Sequence, residues 1–257
     1  MGRSMRGTSS GRILIWQGGS IWIGETRATT GLHAHHAIQI TLALEGEFRL
    51  RDPATPDFGE GLAAAIIAAN RPHAFTAEGT VALVFVEPES VDGLALQELH
   101  CRGAAISRLS PAQVGESPAL LRDAYRSSAG RAHLEEIARG MIAQLRGGAV
   151  PKGTPDPRVL RAIRMLADRT DDPPTLGEAA AAVGLSPGRF RHLFVAEAGL
   201  PYRGYALWLR VGRAVDVFAA GGSLTDAAHD AGFADSAHLS RTFRRMFGLA
   251  PSSLNLM

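Results

Sequence analysis

Near its C-terminus the chain repeats a helical pattern on itself, and few folds accommodate such a repeat. Leu176, Ala179, Ala180, Val183 and Gly184 recur as Leu224, Ala227, Ala228, Ala231 and Gly232, 48 residues on. Phe190, Phe194, Gly199 and Leu200 recur as Leu239, Phe243, Gly248 and Leu249, 49 residues on. The first set falls at i, i+3, i+4 and i+7, the stripe of a short helix. The glycine after each stripe sits where a helix C-terminus favours a residue that tolerates positive φ. The one-residue slip lies in the turn, where insertion costs least. Each unit is therefore expected to be two short helices crossing steeply through a tight turn, a helix-turn-helix outline.

The second helix of the second unit has the apolar stripe Leu239, Phe243, Met246 and Phe247. Off that stripe lie Ser236, Ala237, Ser240, Arg241 and Arg244. Small and basic side chains suit close approach to a DNA groove. Between the units, Tyr202 to Ala220 carries Leu207, Trp208, Val211, Ala214, Val215 and Phe218, again a helical stripe. A helix of that length spans roughly 28 Å, against about 34 Å between successive major-groove faces. One rigid helix could thus hold two recognition helices near adjacent grooves. A plain helical bundle without nucleic acid is the competing reading.

Residues 158–254 resemble the DNA-binding domain of the AraC/XylS transcription regulators. The segments that carry the resemblance are AAAAVGLSPGRFRHLF, GLPYRGYALWLRVGRAVDVF and DAAHDAGFADSAHLSRTFRRMFGLAP. It implies seven helices, double-stranded promoter DNA as partner, and base contacts near the start and middle of each recognition helix. Carried over by position, these are Gly188, Arg191 and His192 in the first unit, and Ser236, Ala237, Ser240 and Arg241 in the second. Gly188 departs from the pattern because it offers no side chain, so readout there is expected to fall to Arg189 and Arg191. Arg191 and Arg241 are the expected guanine contacts. Helix N-termini and Arg210, Arg213 and Arg244 are expected to hold phosphates. RNA polymerase is the further partner expected of such a regulator, as activator or repressor.

The chain of 257 residues is long enough for two domains. Hydrophobic and charged shares of 46 % and 20 % are those of a soluble globular protein. A net charge of +2 does not by itself indicate nucleic acid, so the placement of the arginines carries that case. Cys101, the one cysteine, excludes an intrachain disulfide and suits a reducing compartment. Beside Arg102 it reads as an inert thiol rather than a redox group. The N-terminal arginines are followed by no apolar core of a signal peptide. The longest nearly apolar run, Leu62–Ala69, is far short of a membrane span. The expected location is cytoplasmic, with no membrane partner.

Residues 1–11 read as a disordered polar tail. Residues 12–87, within a domain expected over 12–90, read as strands: Ile13–Trp16, Ser20–Ile23, Ala37–Leu44, Glu47–Arg51, Leu62–Ala69 and Val81–Val86. Glu45-Gly46 looks like a hairpin turn with Phe48 and Leu50 facing inward. Short strands with Gly and Pro turns suggest a sandwich or small barrel. Trp16, Trp22, Phe75 and Phe85 are expected in its core. Within GLHAHHAIQITLALEG, His33 and His35 share one strand face, with His36 beside them, Gln39 following, and His73 after the later apolar run. This resembles the cupin motifs, and His33, His35 and His73 match three metal-ligand positions. Gln39 stands where glutamate is usual, and Ala68 and Asn70 where proline and glycine are usual. Neutral imidazole suits Zn, Ni, Cu and Fe alike. Three readings stay open: histidines hydrogen-bonded around an organic effector, a divalent metal site, or a cupin enzyme. The enzyme ranks last, since only Glu45 and Glu47, at a turn, offer acid–base partners.

Residues 91–146 turn helical at Leu94–Leu99, Ala119–Tyr125 and His133–Leu145. The family resemblance implies that such helices can pair two subunits into a homodimer; they can equally pack on their own barrel. Gly147 to Pro157 is a Gly- and Pro-rich linker. The expected fold is α+β. A cupin-like β-barrel with trailing helices precedes an all-α domain, residues 158–257, with two helix-turn-helix units joined by a long helix. The expected function is a DNA-binding regulator controlled by an effector in the N-terminal domain.

Overall fold

The computed structural model describes residues 9–151 and 153–256. They form two compact units, Met1–Val150 together with Phe243–Met257, and Pro151–Thr242. The first unit is built on eight strands: β1 (Ser9–Trp16), β2 (Gly19–Thr29), β3 (Ile38–Ala43), β4 (Glu47–Arg51), β5 (Ala64–Ile67), β6 (Ala74–Val86), β7 (Ile106–Arg108) and β8 (Leu254–Leu256). They make one sheet in the order β7-β5-β3-β6-β2-β1-β8, with β4 also paired to β6. The strand β1 begins at Ser9, so Ser9, Ser10 and Gly11 are paired with β2 rather than part of a tail; residues 1–8 lie outside the described residues.

The expected hairpin at Glu45-Gly46 is not one. Strands β3 and β4 follow each other along the same partner, pairing with successive parts of β6. Ala43 faces Val81 and Glu47 faces Glu78, so Leu44, Glu45 and Gly46 oppose only Thr80 and Gly79. The N–H groups of Leu44 and Glu45 both donate to the Thr80 carbonyl. This is a β-bulge, one extra residue that kinks the strand without reversing it. Gly46 (φ +77°) and Gly79 (φ +136°) meet there, and a Cβ on Gly79 would lie 2.3 Å from the Glu45 carbonyl oxygen. The conformational freedom of Gly46 and Gly79 serves a bend here, not a reversal. Phe48 and Leu50 are buried as expected.

Four helices follow: α1 (Val91–His100), α2 (Pro111–Val114), α3 (Ser117–Arg126) and α4 (Arg131–Arg146). The apolar stripe of α4, Leu134, Ile137, Ala138, Met141, Ile142 and Leu145, shares one core with Ile21, Ile40, Ile66 and Val84 of the sheet. Full burial of each large aliphatic side chain contributes about 1.5–3 kcal/mol. The stripe of α4 thus packs on its own sheet. Phe48, Leu50, Ile67, Phe75 and Val81 form a second cluster.

The second unit contains α5 (Pro157–Asp168), α6 (Leu176–Ala182), α7 (Pro187–Ala198), α8 (Tyr202–Ala219), α9 (Leu224–Asp230) and the start of α10 (Ser236–Phe247). The linker ends one residue early, because Asp156 caps α5 by accepting from the Arg158 N–H. The seven implied helices correspond to these six and a 3₁₀ turn at Pro251–Ser253, among the described residues. The sequence repeat extends to the helix ends. Thr175 with Glu178 and Ser223 with Asp226 form matching capping boxes. Gly184 and Gly232 close the first helices at φ +71° and +70°, and Gly199 and Gly248 the second at +72° each. Phe190, Phe194, Tyr202 and Tyr205 fill the core of this unit with Val159, Leu166 and Ala179. Residues 158–257 are not one compact body: Phe243–Met257 group with the sheet, because β8 pairs with β1 and the rings of Phe243 and Phe247 pack on Trp22. No helix of the described residues is long and apolar enough to cross a membrane.

Two outcomes follow from this packing. A Cβ on Gly184 meets nothing within 4 Å, whereas one on Gly232 lies 3.0 Å from the Asp171 carbonyl oxygen. Gly184→Ala should lose about 1–2 kcal/mol, the cost of the left-handed backbone alone, and Gly232→Ala distinctly more. Urea unfolding of both variants tests this; equal losses would show that Asp171 yields freely. Burial also pushes the Cys101 thiol up to about 11. Its reaction with an aromatic disulfide reagent at neutral pH should be about a hundredfold slower in folded than in unfolded protein, and similar rates would show an open thiol.

Candidate functional site

Two groups of residues offer chemistry. The first lies on α7 and α10. Ser186 caps α7, and Asp235 caps the start of α10 by accepting from the His238 N–H at 2.5 Å. Phe190 and Phe194 bury one side of α7, and Leu239, Thr242 and Phe243 one side of α10. That leaves Gly188, Arg189, Arg191 and His192 exposed on the first helix. Ala237, Arg241 and Arg244 are exposed on the second, with Ser236 and Ser240 half-buried. A Cβ on Gly188 would meet nothing, so the position is open but featureless. Among the described residues, Arg189, Arg191, Arg241 and Arg244 make no salt bridge. Arg245 is exposed in the same way and was not singled out from the sequence, although it directly follows Arg244.

Two expected phosphate ligands are otherwise engaged. Arg210 donates from Nε to the Thr170 carbonyl at 2.9 Å and from its terminal nitrogen to the Asp171 carbonyl at 3.2 Å. Arg213 is bound to Asp230 at 2.6 Å. Both guanidinium groups tie α8 to neighbouring segments of its own unit.

The second group lies in the sheet. A cavity of about 90 Å³ is lined by Trp22, Phe75, Phe85, Phe247, His33 and Gln39, among others. Phe75 and Phe85 are buried in the core as expected and, with Trp22, also wall this cavity, while Trp16 packs against the main core. The Trp22 indole N–H is buried with no acceptor.

His33 and His73 sit opposite each other as an isolated antiparallel pair, each N–H donating to the other's carbonyl at 2.9 and 2.8 Å. Directly paired residues project side by side, and the two ring centres are 4.3 Å apart. His35, two residues on from His33, joins them with ring centres 5.9 Å from His33 and 5.0 Å from His73. One ring nitrogen from each of the three falls within 4.8 Å of the others. The expected strand does not reach the histidines: β3 begins at Ile38, so His35 and His36 lie in the loop before it, His33 holds a single bridge, and the loop takes His36 elsewhere, to Glu89 at 2.5 Å, both side chains being buried. Asn70 adopts φ +59°, so it takes the left-handed conformation at the position where the cupin motif has glycine.

The hydrogen bonds fix which nitrogen each ring presents. Nδ1 of His33, His35 and His73 lies 2.9 Å from the carbonyls of Gly31, Ala37 and Arg71 respectively. A neutral ring that donates from Nδ1 keeps its lone pair on Nε2. Burial lowers all three pKa values, that of His35 to about 4, helped by the charge His33 would carry, and that of His73 to about 2, helped by His35 and His33. The cluster is therefore three neutral imidazoles. His73 Nε2 is buried without a hydrogen-bond partner. Gln39 donates to the Thr41 hydroxyl at 2.8 Å and turns its oxygen towards His35 Nε2 at 2.9 Å. Neutral nitrogen donors with their outer nitrogens fixed by carbonyls are the arrangement transition metals use, so the residues present fit such an ion.

A helix-turn-helix domain family matches residues 179–255. A comparison with curated protein sequences returned no match. Among solved structures, ToxT from Vibrio cholerae O395 aligns with a TM-score of 0.58 and 11% identity, covering 91% of this chain and 95% of that one. Wild-type ToxT from V. cholerae strain SCE256 with an unsaturated fatty acid bound aligns at 0.59 and 11%, covering 95% and 94%. At such identities the likeness is one of fold. Residues 179–255 are thus a helix-turn-helix domain of the AraC type, and the chain shares the mixed α+β fold of ToxT.

Proposed function

We propose that this protein reads promoter DNA with α7 and α10 as paired recognition helices, and that a small effector in the sheet cavity controls the reading. The observation that carries the first part is the set of exposed arginines without internal partners on those two helices. Arg191 and Arg241, one turn into each helix, take the guanine contacts, since a guanidinium fork matches the two acceptors of that base. Arg189, Arg244 and Arg245, with the helix N-termini, take phosphates. The 18 residues of α8 span about 27 Å, of the order of the spacing between adjacent major grooves. Ser236, Ala237, Ser240 and His192 are short or planar side chains that let the helices approach the base edges, and Gly188 opens the first helix to the backbone. RNA polymerase is the partner through which a bound regulator acts.

The effector reading rests on the cavity and its wall of Trp22, Phe75 and Phe85. ToxT has been crystallised with an unsaturated fatty acid. The cavity of this chain is about 90 Å³, well below the roughly 300–1,000 Å³ of pockets for drug-sized ligands. Its size favours a small effector over a long acyl chain. The buried His73 nitrogen favours a second reading, in which the effector is a metal ion.

DNA enriched from a random pool by the full-length protein supplies a specific site. On that site Arg241→Ala should weaken binding by about 1–3 kcal/mol, roughly ten- to hundredfold, with a much smaller loss on unselected DNA. Equal losses on both in a gel-shift titration would make Arg241 a phosphate contact. Failure to enrich any sequence would sink the whole reading.

A further inference from the structure

We infer that the sheet cavity takes a compact, uncharged molecule with one hydrogen-bond acceptor, such as a small ketone or ether, and that the Trp22 indole N–H donates to it. This rests on the reading that the cavity holds the effector, and it names that effector's class.

Strand register keeps charge off the cavity face. Ile13 pairs with Trp22, and Gly11 with Gly24, across β1 and β2. Trp22 pairs in turn with Leu83, and Gly24 with Val81, across β2 and β6. Paired residues share a face, so Ile13, Trp22, Val81 and Leu83 form one apolar wall, and all four line the cavity. Arg12 and Glu25 border it as well, but alternation turns their side chains to the opposite face. On that face Ile23, the partner of Arg12, joins the core beneath α4, and Arg12 donates to the Ala129 carbonyl at 2.6 Å. Burial lowers the pKa of His33, which also lines the cavity, and favours its neutral form. A carboxylate bound here would therefore meet no cation, and a buried unpaired charge is costly.

Polar groups in the lining are already engaged, with one exception. Thr30 Oγ1 accepts from the Phe75 N–H at 2.9 Å. The Gln39 amide is held between Thr41 and His35, and His33 Nδ1 lies 2.9 Å from the Gly31 carbonyl. Among the described residues, Trp22 Nε1 is the buried side-chain polar atom that lacks a partner and belongs to the cavity wall. The rings of Phe85, Phe243 and Phe247 pack about the indole with centres 5.3, 6.1 and 4.8 Å away. An aromatic face is only a weak acceptor. Leaving a buried donor unmatched is unfavourable, and a ligand oxygen reached by a small turn of the indole relieves it.

Size narrows the class further. The cavity is about 90 Å³, less than the roughly 150 Å³ of an apolar cavity that holds benzene. The occupant is thus limited to about five heavy atoms. Phe247, Leu249 and Leu254 supply the wall from the C-terminal segment. That segment is held by the pairing of Leu254 with Ser9 and by the Gly31 N–H, which donates to the Gly248 carbonyl at 3.0 Å. The site is complete only with this segment seated, so ligand and seating stabilise each other.

The test follows full-length ¹⁵N-labelled protein by NMR with cyclobutanone, cyclopentane or propionate, three probes of equal heavy-atom count. The Trp22 indole cross-peak, told apart from those of Trp16 and Trp208 by Trp16→Phe and Trp208→Phe, should move downfield with cyclobutanone and not with cyclopentane. Propionate should leave it in place. Trp22→Phe keeps a ring but loses the N–H, and should weaken cyclobutanone by about two- to tenfold while changing cyclopentane less. Gly248→Ala alters no lining side chain, yet its Cβ would lie 2.6 Å from the Gly31 oxygen; it should weaken cyclobutanone by about fivefold or more. Propionate binding as tightly as cyclobutanone overturns the uncharged class and leaves the cavity an effector site. An indole proton indifferent to cyclobutanone, or equal losses for both neutral probes in Trp22→Phe, overturns the hydrogen bond; the wild-type comparison decides this whether or not the variant folds. Unchanged affinity in Gly248→Ala overturns the part played by the C-terminal segment. Failure of all three probes to shift any cavity-lining signal removes the cavity as effector site together with this inference.

Discussion

The sheet unit depends on a single long strand. The thirteen residues of β6 pair with β2 along nearly their whole length on one side, and with β3 and then β4 on the other. Ala82, Val84 and Val86 put one face of β6 into the core beneath α4, while Phe75, Ala77 and Val81 put residues into the second cluster. Such a strand cannot stay flat while serving two partners end to end. The bulge at Leu44–Gly46 bends the chain and shifts the side-chain alternation by one residue, so Leu42 and Leu44 face the first cluster while Phe48 and Leu50 face the second. His73 stands one residue before β6 and His33 lies across from it, so the same strand that organises the core also sets the histidine cluster.

That cluster shows how burial decides chemistry. Removal from water disfavours the charged imidazole, and each neighbour that could carry charge adds to the effect. Three rings are thereby kept neutral with lone pairs turned inward, while backbone carbonyls hold the opposite nitrogens. His36 lies beside His35 in sequence, in the loop before β3, but its ring turns to a buried carboxylate, Glu89. One step along that loop separates two different chemical fates.

The arginines divide by the same kind of allocation. Arg210 and Arg213 find carbonyl and carboxylate acceptors within reach of α8. On α7 and α10 the neighbouring positions offer alanine, serine or glycine, and the guanidinium groups stay outward. An overall charge near zero says little about nucleic acid, and the distribution of satisfied and unsatisfied donors says more.

What the sequence by itself determined is what short-range rules control. The helix stripes, the capping boxes at Thr175 and Ser223 and the glycines that end each helix follow from spacing over a few residues. The helices were legible for that reason; His33 and His35 meet instead in the loop before β3, where strand alternation does not apply. Tertiary structure alone decided which distant segments meet. It set the pairing of β8 with β1, the grouping of Phe243–Met257 with the sheet, the cavity wall of Trp22 and Phe85, and the internal partners of Arg210 and Arg213. Such partners, from 17 residues away for Arg213 and Asp230 to opposite ends of the chain for β1 and β8, leave no periodic trace, because their selection depends on the packing of the whole unit rather than on the local backbone.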